Sequence, residues 1–210
     1  MRQTVPSLKA PPAEPAGLTS FPVFSLTLKM SLFRVGRRGR SPWWFGSSGE
    51  GRFDLAPPEG TCYLAGDPVA ALLEVIGPDR EGAFVSAEFF AERRLFRLRV
   101  PSTQARLADT AASGAAAFGV TLEIHSIVPY DLPQAWAVRF RQAGLDGVRY
   151  LLRHDPGGEE GFALFGPAGV GSSWPAGEEQ PIEPELLEEL VEASGIQILP
   201  IPHSSQLDLA

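Results

Sequence analysis

The chain has 210 residues, of which 44% are hydrophobic, so it can bury a substantial core, and one domain with frayed ends fits it better than two domains. Its formal net charge of −7 argues against a direct nucleic-acid partner, because binding to phosphate backbones is driven by basic surface. A single cysteine, Cys62, excludes an intrachain disulfide framework and is expected to be a buried, inert thiol. No apolar window is long enough to cross a bilayer and no secretory signal is recognisable, which predicts a cytoplasmic protein without membrane contact.

The first quarter of the chain is predicted to be an arm followed by short strands. The 22 glycines and 20 prolines of the sequence indicate many short elements joined by long connections. Prolines at five positions within residues 1–24 disfavour regular hydrogen-bonded structure, so this segment is predicted to be an extended, proline-rich N-terminal arm. Residues 31–35 and 61–65 are predicted strands, and the turn-forming residues of 36–60 predict a long loop between them.

The helices are predicted from their ends as well as from their apolar spacing. Asp67 is a suitable N-cap for a helix over 68–76, which the glycine and proline at 77 and 78 end. The same criteria predict helices over 131–143 and 183–193, each followed by a glycine C-cap. The remaining expectations are an alanine-rich helix at 109–118 and strands at 95–100, 120–124, 147–152 and 162–165. Because the strands do not strictly alternate with helices, the pattern predicts a single domain of the α+β class.

Several arginines lie close together between positions 34 and 52 of this acidic chain, which suits a small anion better than a polymer. The guanidinium fork donates parallel hydrogen bonds to a diphosphate and stays charged at physiological pH. Arg34 lies within an apolar strand pattern and needs an anionic partner there, either Glu74 or a ligand, unless it faces solvent. Arg52 follows a glycine-rich run that could bring backbone amides to a phosphate, although an ordinary glycine-rich hairpin would have the same pattern.

Two more residues are candidates for the site, and each has a functional and a structural interpretation. Tyr63 could stack on a flat ring and hydrogen-bond through its hydroxyl, or it could be a core tyrosine. Glu74 is a lone carboxylate on an otherwise apolar predicted helix. In an enclosed site it could hold ribose hydroxyls and stabilise an oxocarbenium-like transition state, whereas in water it would be an ordinary surface glutamate.

No metal site is predicted. His125, His154 and His203 are widely separated, and no suitably spaced cysteines accompany them. His154 is expected to order a turn instead of acting as a base. The glycine-rich run at 166–171 lacks the lysine of a phosphate loop and is predicted to be a turn.

Five fragments occur in an order and spacing that are distinctive together, although each is unspecific alone. They are Phe33-Arg34-Val35, Gly51-Arg52-Phe53, Tyr63-Leu64-Ala65, Leu73-Glu74-Val75 and Gly144-Leu145-Asp146-Gly147-Val148-Arg149-Tyr150. This pattern resembles the RES-domain family, whose members are bacterial NAD-consuming proteins with a fold like that of ADP-ribosyltransferases. Many of them are toxins paired with a helix-turn-helix antitoxin. The resemblance covers roughly residues 32–167.

The resemblance implies a domain organisation and a role for each matched residue. A catalytic domain with mixed ADP-ribosyltransferase-like sheets and flanking helices would occupy 25–168, and 169–210 would be a C-terminal extension with one helix. Glu74 and Arg34 would be catalytic, with Glu74 at the scissile ribose. Arg34 and Arg52 would hold the NAD diphosphate, and Tyr63 would contact the nicotinamide end.

One departure from the family pattern concerns a serine. The family serine is expected just before the helix at 134–143 or in the strand after Tyr150, and neither place in this chain carries one. Ser126 is the hydroxyl nearest to the first place and is therefore the candidate for this substrate-binding role.

The resemblance implies cleavage of the nicotinamide–ribose bond of NAD, with NAD as substrate and no further cofactor. The acceptor could be water or phosphate; ADP-ribosyl transfer to a protein is a second hypothesis, and a catalytically weak NAD-binding module is a third. The implied partner is an Xre-type antitoxin. The arm and the 183–193 helix could dock that antitoxin or a second copy of the chain in a homo-oligomer, but a solvated tail and a core-facing helix explain them equally well.

Overall fold

One mixed sheet organises the part of the chain that the structure describes. The computed structural model describes residues 7–77, 84–101, 104–155 and 157–200. Within these ranges the strands are β1 (Val23–Thr27), β2 (Leu32–Arg37), β3 (Trp44–Phe45), β4 (Glu59–Ala65), β5 (Phe84–Ser86), β6 (Arg93–Leu98), β7 (Gln104–Asp109), β8 (Gly147–Leu151), β9 (Glu160–Pro167), β10 (Gly169–Val170), β11 (Glu178–Gln180) and β12 (Gln197–Leu199). The α-helices are α1 (Pro68–Ile76), α2 (Ala87–Ala91), α3 (Asp131–Gln142) and α4 (Pro184–Ser194), and 3-10 helices lie at Pro15–Leu18, Ser113–Phe118 and Leu122–His125.

The large sheet is open at one place. Its strand order is β1-β7-β8-β9-β4-β2-β6-β11, in which β7 and β8 run parallel. β4 pairs with β9 along its whole length, whereas the described pairing of β4 with β2 joins only Ala65 and Phe33. The sheet therefore divides between β4 and β2, and α1 contacts both of these strands.

Helix α1 forms where its capping residues predict it. The Asp67 carboxylate accepts hydrogen bonds from the backbone N–H groups of Val69 and Ala70 at 2.8 and 3.1 Å, which satisfies donors that a helix start leaves free. The residues it buries are Ala70, Ala71, Leu72, Leu73 and Ile76. Because this apolar face packs against the sheet, Glu74 lies on the flank of the helix, beside the opening between β2 and β4.

An apolar cluster covers each face of the sheet. On one face, residues of α1 and α3 such as Leu72 and Trp136 pack together. On the other face, Cys62 packs in a cluster with Trp43. Neighbouring residues of a strand point to opposite faces, so Tyr63 packs against the first cluster while Cys62 is fully buried in the second.

The predicted α+β domain, with a mixed sheet and flanking helices, is confirmed. The helices α1, α3 and α4 and the strands β2, β4, β6, β8 and β9 lie within a few residues of their predicted bounds. The predicted loop at 36–60 is mostly loop and contains the short strand β3.

The N-terminus differs from the expected extended arm. Leu8, Leu18 and Phe21 are buried in the first cluster, and β1 pairs with β7 at the edge of the sheet. The indole N–H of Trp136 donates to the carbonyl of Lys9 at 2.8 Å. Residues 7–27 are thus part of the packed structure, held by long-range contacts that proline content alone cannot indicate.

Two predictions between 109 and 124 are wrong. The strand expected at 120–124 is replaced by the 3-10 helix Leu122–His125, in which Leu122 is exposed. The N–H groups of Ile124 and Ser126 bond to the carbonyls of Thr121 and Glu123 instead of to another strand. The alanine-rich helix is only the 3-10 helix Ser113–Phe118. The Asp109 carboxylate accepts the N–H groups of the next residues, Ala111 and Ala112, and this local turn competes with a regular helix.

Helix α4 packs on its own chain. Leu190 is fully buried, and Leu186 and Leu187 pack against the first cluster, while Val191 is partly exposed. This arrangement agrees with the core-facing alternative for the helix. In the described part of the chain, no helix is long and apolar enough to cross a membrane.

Candidate active site

A cavity of about 330 Å³ lies beside α1, next to the opening between β2 and β4. Four of the five residues predicted from the sequence line it: Arg34, Arg52, Tyr63 and Glu74. They come from β2, the glycine-rich loop before β4, β4 itself and α1. The fold therefore gathers into one cavity residues that are separated by up to 40 positions in the sequence.

Glu74 is half-buried at the cavity wall. Its carboxylate accepts a hydrogen bond from the backbone N–H of His154 at 3.3 Å. Burial raises the pKa of Glu74, while this hydrogen bond and the positive charges of Arg52 and Arg153 oppose the rise. Glu74 is therefore not an ordinary surface glutamate, and its carboxyl group faces the cavity in a partly desolvated setting.

Arg52 brings a positive charge to the same cavity and is only 8% exposed. One terminal nitrogen, Nη1, donates to the backbone carbonyl of Ile127 at 2.8 Å, and the guanidinium lies 4.7 Å from the ring centre of Tyr130. Burial lowers the pKa of Arg52, but an arginine remains charged in a protein. The carbonyl and the aromatic ring hold the guanidinium in place and compensate part of its lost hydration.

The loop that carries Arg52 is built around Asp54, a residue that was not predicted from the sequence to belong to the site. Asp54 is 6% exposed, and its carboxylate accepts the N–H groups of Gly49 and Gly51 at 3.1 and 3.0 Å. A Cβ atom at Gly51 would overlap that carboxylate and the Tyr63 hydroxyl. The glycine-rich run is therefore explained by close packing around a buried carboxylate, and a bound phosphate is not needed to account for it.

Tyr63 has no free hydroxyl for a ligand. The hydroxyl donates to Asp54 at 2.8 Å and accepts the backbone N–H of Phe53 at 2.8 Å. Burial, with the adjacent Asp54 charge, raises the pKa of Tyr63 well above its usual value. What Tyr63 presents to the cavity is its aromatic ring, so stacking is available to it and ligand hydrogen bonding is not.

Arg34 is anchored to neutral groups. Its Nη1 donates to the carbonyls of Pro42 and Trp44 at 2.5 and 3.2 Å and lies 2.9 Å from the sulfur of Cys62. Glu74 is not among its hydrogen-bond partners in the described structure. Of the alternatives left open for Arg34, pairing with Glu74 is therefore not found in the described structure. The expected burial of Cys62 is confirmed.

Ser126 is not brought to the cavity. It is exposed at the end of the 3-10 helix Leu122–His125, although the next residue, Ile127, supplies the carbonyl that binds Arg52. Among the described residues that line the cavity there is no serine or threonine. The hydroxyl expected from the family pattern therefore has no counterpart at the cavity wall.

Further lining residues with polar side chains were not predicted for the site, and they include Glu50, Tyr130, Tyr150, Arg153 and His154. Tyr150 is 5% exposed, its ring centre is 5.0 Å from that of Phe53, and burial raises its pKa. Tyr150 lies in one of the five fragments that resemble the family, so this resemblance could have identified it as a candidate. His154 lies in the turn between β8 and β9, and its position at the cavity depends on tertiary packing against Gly77.

His125 lies close to the cavity but does not line it. Its Nδ1 accepts the backbone N–H of Leu151 at 3.4 Å, and burial, with the charge of Arg52, lowers its pKa to about 4. The ring is therefore neutral at physiological pH. In the described residues no group of three or more histidine, cysteine, aspartate and glutamate side chains is arranged to hold a metal ion.

A solved structure has a similar fold, and a family model matches the sequence. The fold is similar to that of a chain in the crystal structure of the M. tuberculosis MbcT–MbcA toxin–antitoxin complex, with a TM-score of 0.60 and 17% identity over 80% of this chain and 89% of that chain. No curated protein was found to match the chain. The family model of the RES domain matches residues 31–182, a span that includes Arg34, Arg52, Tyr63 and Glu74. By this match, over more than half of its length, the chain belongs to the RES-domain family.

Proposed function

We propose that this protein cleaves the bond between nicotinamide and ribose in NAD, as a glycohydrolase or a phosphorylase. The observation that carries the proposal is the meeting of one half-buried carboxylate, Glu74, with the buried Arg52 and the ring of Tyr63 in one cavity. These groups match the three parts of the reacting end of NAD: a ribose that becomes cationic, anionic phosphates and a flat ring.

Glu74 would act on the ribose. When the C1′–N bond breaks, its electron pair goes to the nicotinamide nitrogen, which neutralises the pyridinium, and positive charge develops on the ribose. An ionised carboxylate fixed in a partly desolvated site stabilises such a charge more strongly than water does. Water then adds with loss of a proton to give ADP-ribose, or phosphate adds to give ADP-ribose phosphorylated at C1′.

Arg34, Arg52 and the tyrosine rings would position the substrate. Arg34 and Arg52 each have Nη1 fixed by carbonyl groups, so their remaining N–H groups are held in a defined direction for a phosphate or a hydroxyl. Tyr63 and Tyr150 can stack on the nicotinamide. Orientation of this kind carries much of the catalysis when the leaving group is already cationic.

A direct test is to incubate the purified protein with NAD, with and without inorganic phosphate, and to follow nicotinamide by chromatography. The proposal predicts nicotinamide release, with mass spectrometry of the second product identifying water or phosphate as acceptor. NAD that stays intact under both conditions would contradict it.

A second candidate is NAD binding with little turnover, favoured by the lack of a serine or threonine among the described cavity residues. Calorimetry would then detect NAD binding by a protein that releases no nicotinamide. Release at a rate proportional to enzyme concentration would exclude this candidate.

The family and the similar fold in a toxin–antitoxin complex support a proposal for the biological role. We propose that the chain is a toxin that depletes NAD and is held by an antitoxin. Expression in a bacterial host should lower cellular NAD and stop growth, and the product of a neighbouring reading frame should restore both. Normal growth with normal NAD would contradict the toxin role.

A further inference from the structure

We propose that Arg153 forms an anion subsite at the mouth of the cavity, where it binds a phosphate group that the reaction uses. The inference rests on the proposed cleavage of NAD and specifies where a phosphate group of the reactants is bound. The phosphate could belong to the NAD diphosphate or to an inorganic phosphate acceptor, and the chemistry of recognition is the same for both.

Arg153 is placed for this role by the turn between β8 and β9. It lines the cavity together with Arg52 and Glu74. The residue after it, His154, donates its backbone N–H to the Glu74 carboxylate at 3.3 Å. The backbone of Arg153 is therefore one residue away from a direct contact with the carboxylate that we place at the ribose.

Arg153 differs from Arg34 and Arg52 in its exposure and in its hydrogen bonds. Arg34 and Arg52 are tied to backbone carbonyls, and Arg52 is only 8% exposed. Arg153 is exposed and makes no hydrogen bond or ion pair within the described ranges. It can therefore turn towards an incoming phosphate without breaking a bond to the protein. Its guanidinium is still hydrated, whereas that of Arg52 has lost hydration through burial.

Charge and size favour a phosphate at the mouth. Among the described residues of the cavity wall, the charged side chains are three arginines and the two glutamates Glu50 and Glu74. Cations therefore exceed anions in this set, although the whole chain carries −7. At about 330 Å³ the cavity is at the small end of ligand pockets, which span roughly 300–1,000 Å³. With the nicotinamide and its ribose inside, next to Glu74, the phosphates extend outward to Arg153.

The test is calorimetric and does not need turnover. ADP, adenosine and inorganic phosphate are each titrated into the wild type, Arg153→Gln and Arg153→Lys. Arg38→Gln is the matched control, because Arg38 is exposed and outside the cavity wall. Thermal melting should be the same for all four proteins, since Arg153 has no described bond to lose.

The expected result is that Arg153→Gln weakens ADP binding by roughly tenfold or more, as loss of a charged hydrogen bond predicts, and leaves adenosine unchanged. Arg153→Lys should retain part of the affinity and Arg38→Gln all of it. A loss confined to inorganic phosphate would assign the subsite to the acceptor. Wild-type protein that binds neither ADP nor phosphate, or equal binding by Arg153→Gln, would overturn the proposal. If Arg153→Gln weakens ADP binding as expected but the wild-type protein releases no nicotinamide from NAD, the phosphate subsite stands and only the proposed cleavage is refuted.

Discussion

His125 and Arg52 are both buried near the cavity, yet only Arg52 is charged at neutral pH. Burial is the main cause that lowers the pKa of His125 to about 4, and the nearby charge of Arg52 adds to it. The Nδ1 atom accepts the N–H of Leu151, which a ring protonated at that atom could not do. His125 therefore contributes a neutral imidazole to the structure.

This burial makes the stability of the protein depend on pH. An unfolded histidine has a pKa of about 6.5, so between pH 6.5 and 4 the unfolded state binds more protons than the folded state. The contribution of His125 is fully present above about pH 6.5 and is lost as the pH falls towards 4. From these two values the loss between pH 7 and 5 is about 2 kcal/mol.

The variant His125→Gln removes this titration and keeps an oxygen that can accept the Leu151 N–H. We expect the free energy of unfolding to fall less between pH 7 and 5 in the variant than in the wild type, by about 2 kcal/mol. Urea denaturation of both proteins at the two pH values measures the difference. Equal losses in both proteins would show that the pKa of His125 is the same in the folded and the unfolded protein.

Two carboxylates beside the cavity have different environments and therefore different roles. Asp54 is satisfied by the Tyr63 hydroxyl and by amides of its own loop. Glu74 accepts one described hydrogen bond, a long one from His154, and burial raises its pKa. Asp54 is thus a structural group, and Glu74 retains the capacity to interact with a substrate.

The glycine-rich loop behaves as a structural element although it has no regular secondary structure. Asp54 binds its amides from within, and the side-chain amide of Gln134, on α3, donates to the carbonyls of Gly49 and Gly51 at 2.8 and 2.9 Å. Arg52 is held at a third point by the Ile127 carbonyl. Bonds from three directions explain how an irregular segment can present an arginine in a fixed orientation.

Replacing Asp54 by Asn should disorganise this loop. The new NH₂ group would face backbone donors or the Tyr63 hydroxyl, and the unsatisfied groups should lower the free energy of unfolding by about 1–3 kcal/mol. The KM for NAD should rise because Arg52 loses its orientation. Chemical denaturation and steady-state kinetics measure the two effects, with the exposed Glu14→Gln as control. An unchanged stability and KM would mean that the network does not support the loop.

Elements were predictable where their signals are local. The Asp67 cap and the apolar spacing of α1 are contained in ten consecutive residues, so the helix could be found from them. A strand depends on its partner, which the local sequence does not contain. β1 was therefore missed next to Pro22, and residues 120–124 were wrongly expected to form a strand.

At the scale of the whole molecule, the site depends on the division of the sheet between β4 and β2. This opening, with α1 across it, leaves space for a cavity between two well-paired halves. The N-terminal segment and α4 pack on the cluster that contains α1. Contacts remote from the cavity thus fix the helix that carries Glu74.

The site could be predicted only in part from the sequence, because contacts between distant segments place several of its residues. Glu74 and Arg52 could be identified because each is a charged residue in a fragment shared with a known family. Asp54 and Arg153 could not, because the contact of Asp54 with Tyr63 and the position of Arg153 in the cavity wall beside Glu74 arise only in the folded chain. Ser126 was chosen because it is the nearest hydroxyl in the sequence to the expected serine, but it does not line the cavity. Proximity in sequence was therefore not enough to identify a residue of the site.

The most direct test of a catalytic Glu74 is the rate of nicotinamide release from NAD by Glu74→Gln compared with wild type. Glutamine keeps the shape and the acceptor for the His154 N–H but removes the charge, so kcat should fall by roughly 10²–10³, as when one electrostatic group is lost from an active site. Because folding raises the pKa of Glu74, its ionisation lowers stability as the pH rises from the unfolded pKa through the folded pKa. The variant should therefore melt no lower than wild type at pH 7. The exposed Glu188→Gln should match wild type in both measurements, and a folded Glu74→Gln that releases nicotinamide at the wild-type rate would contradict the account.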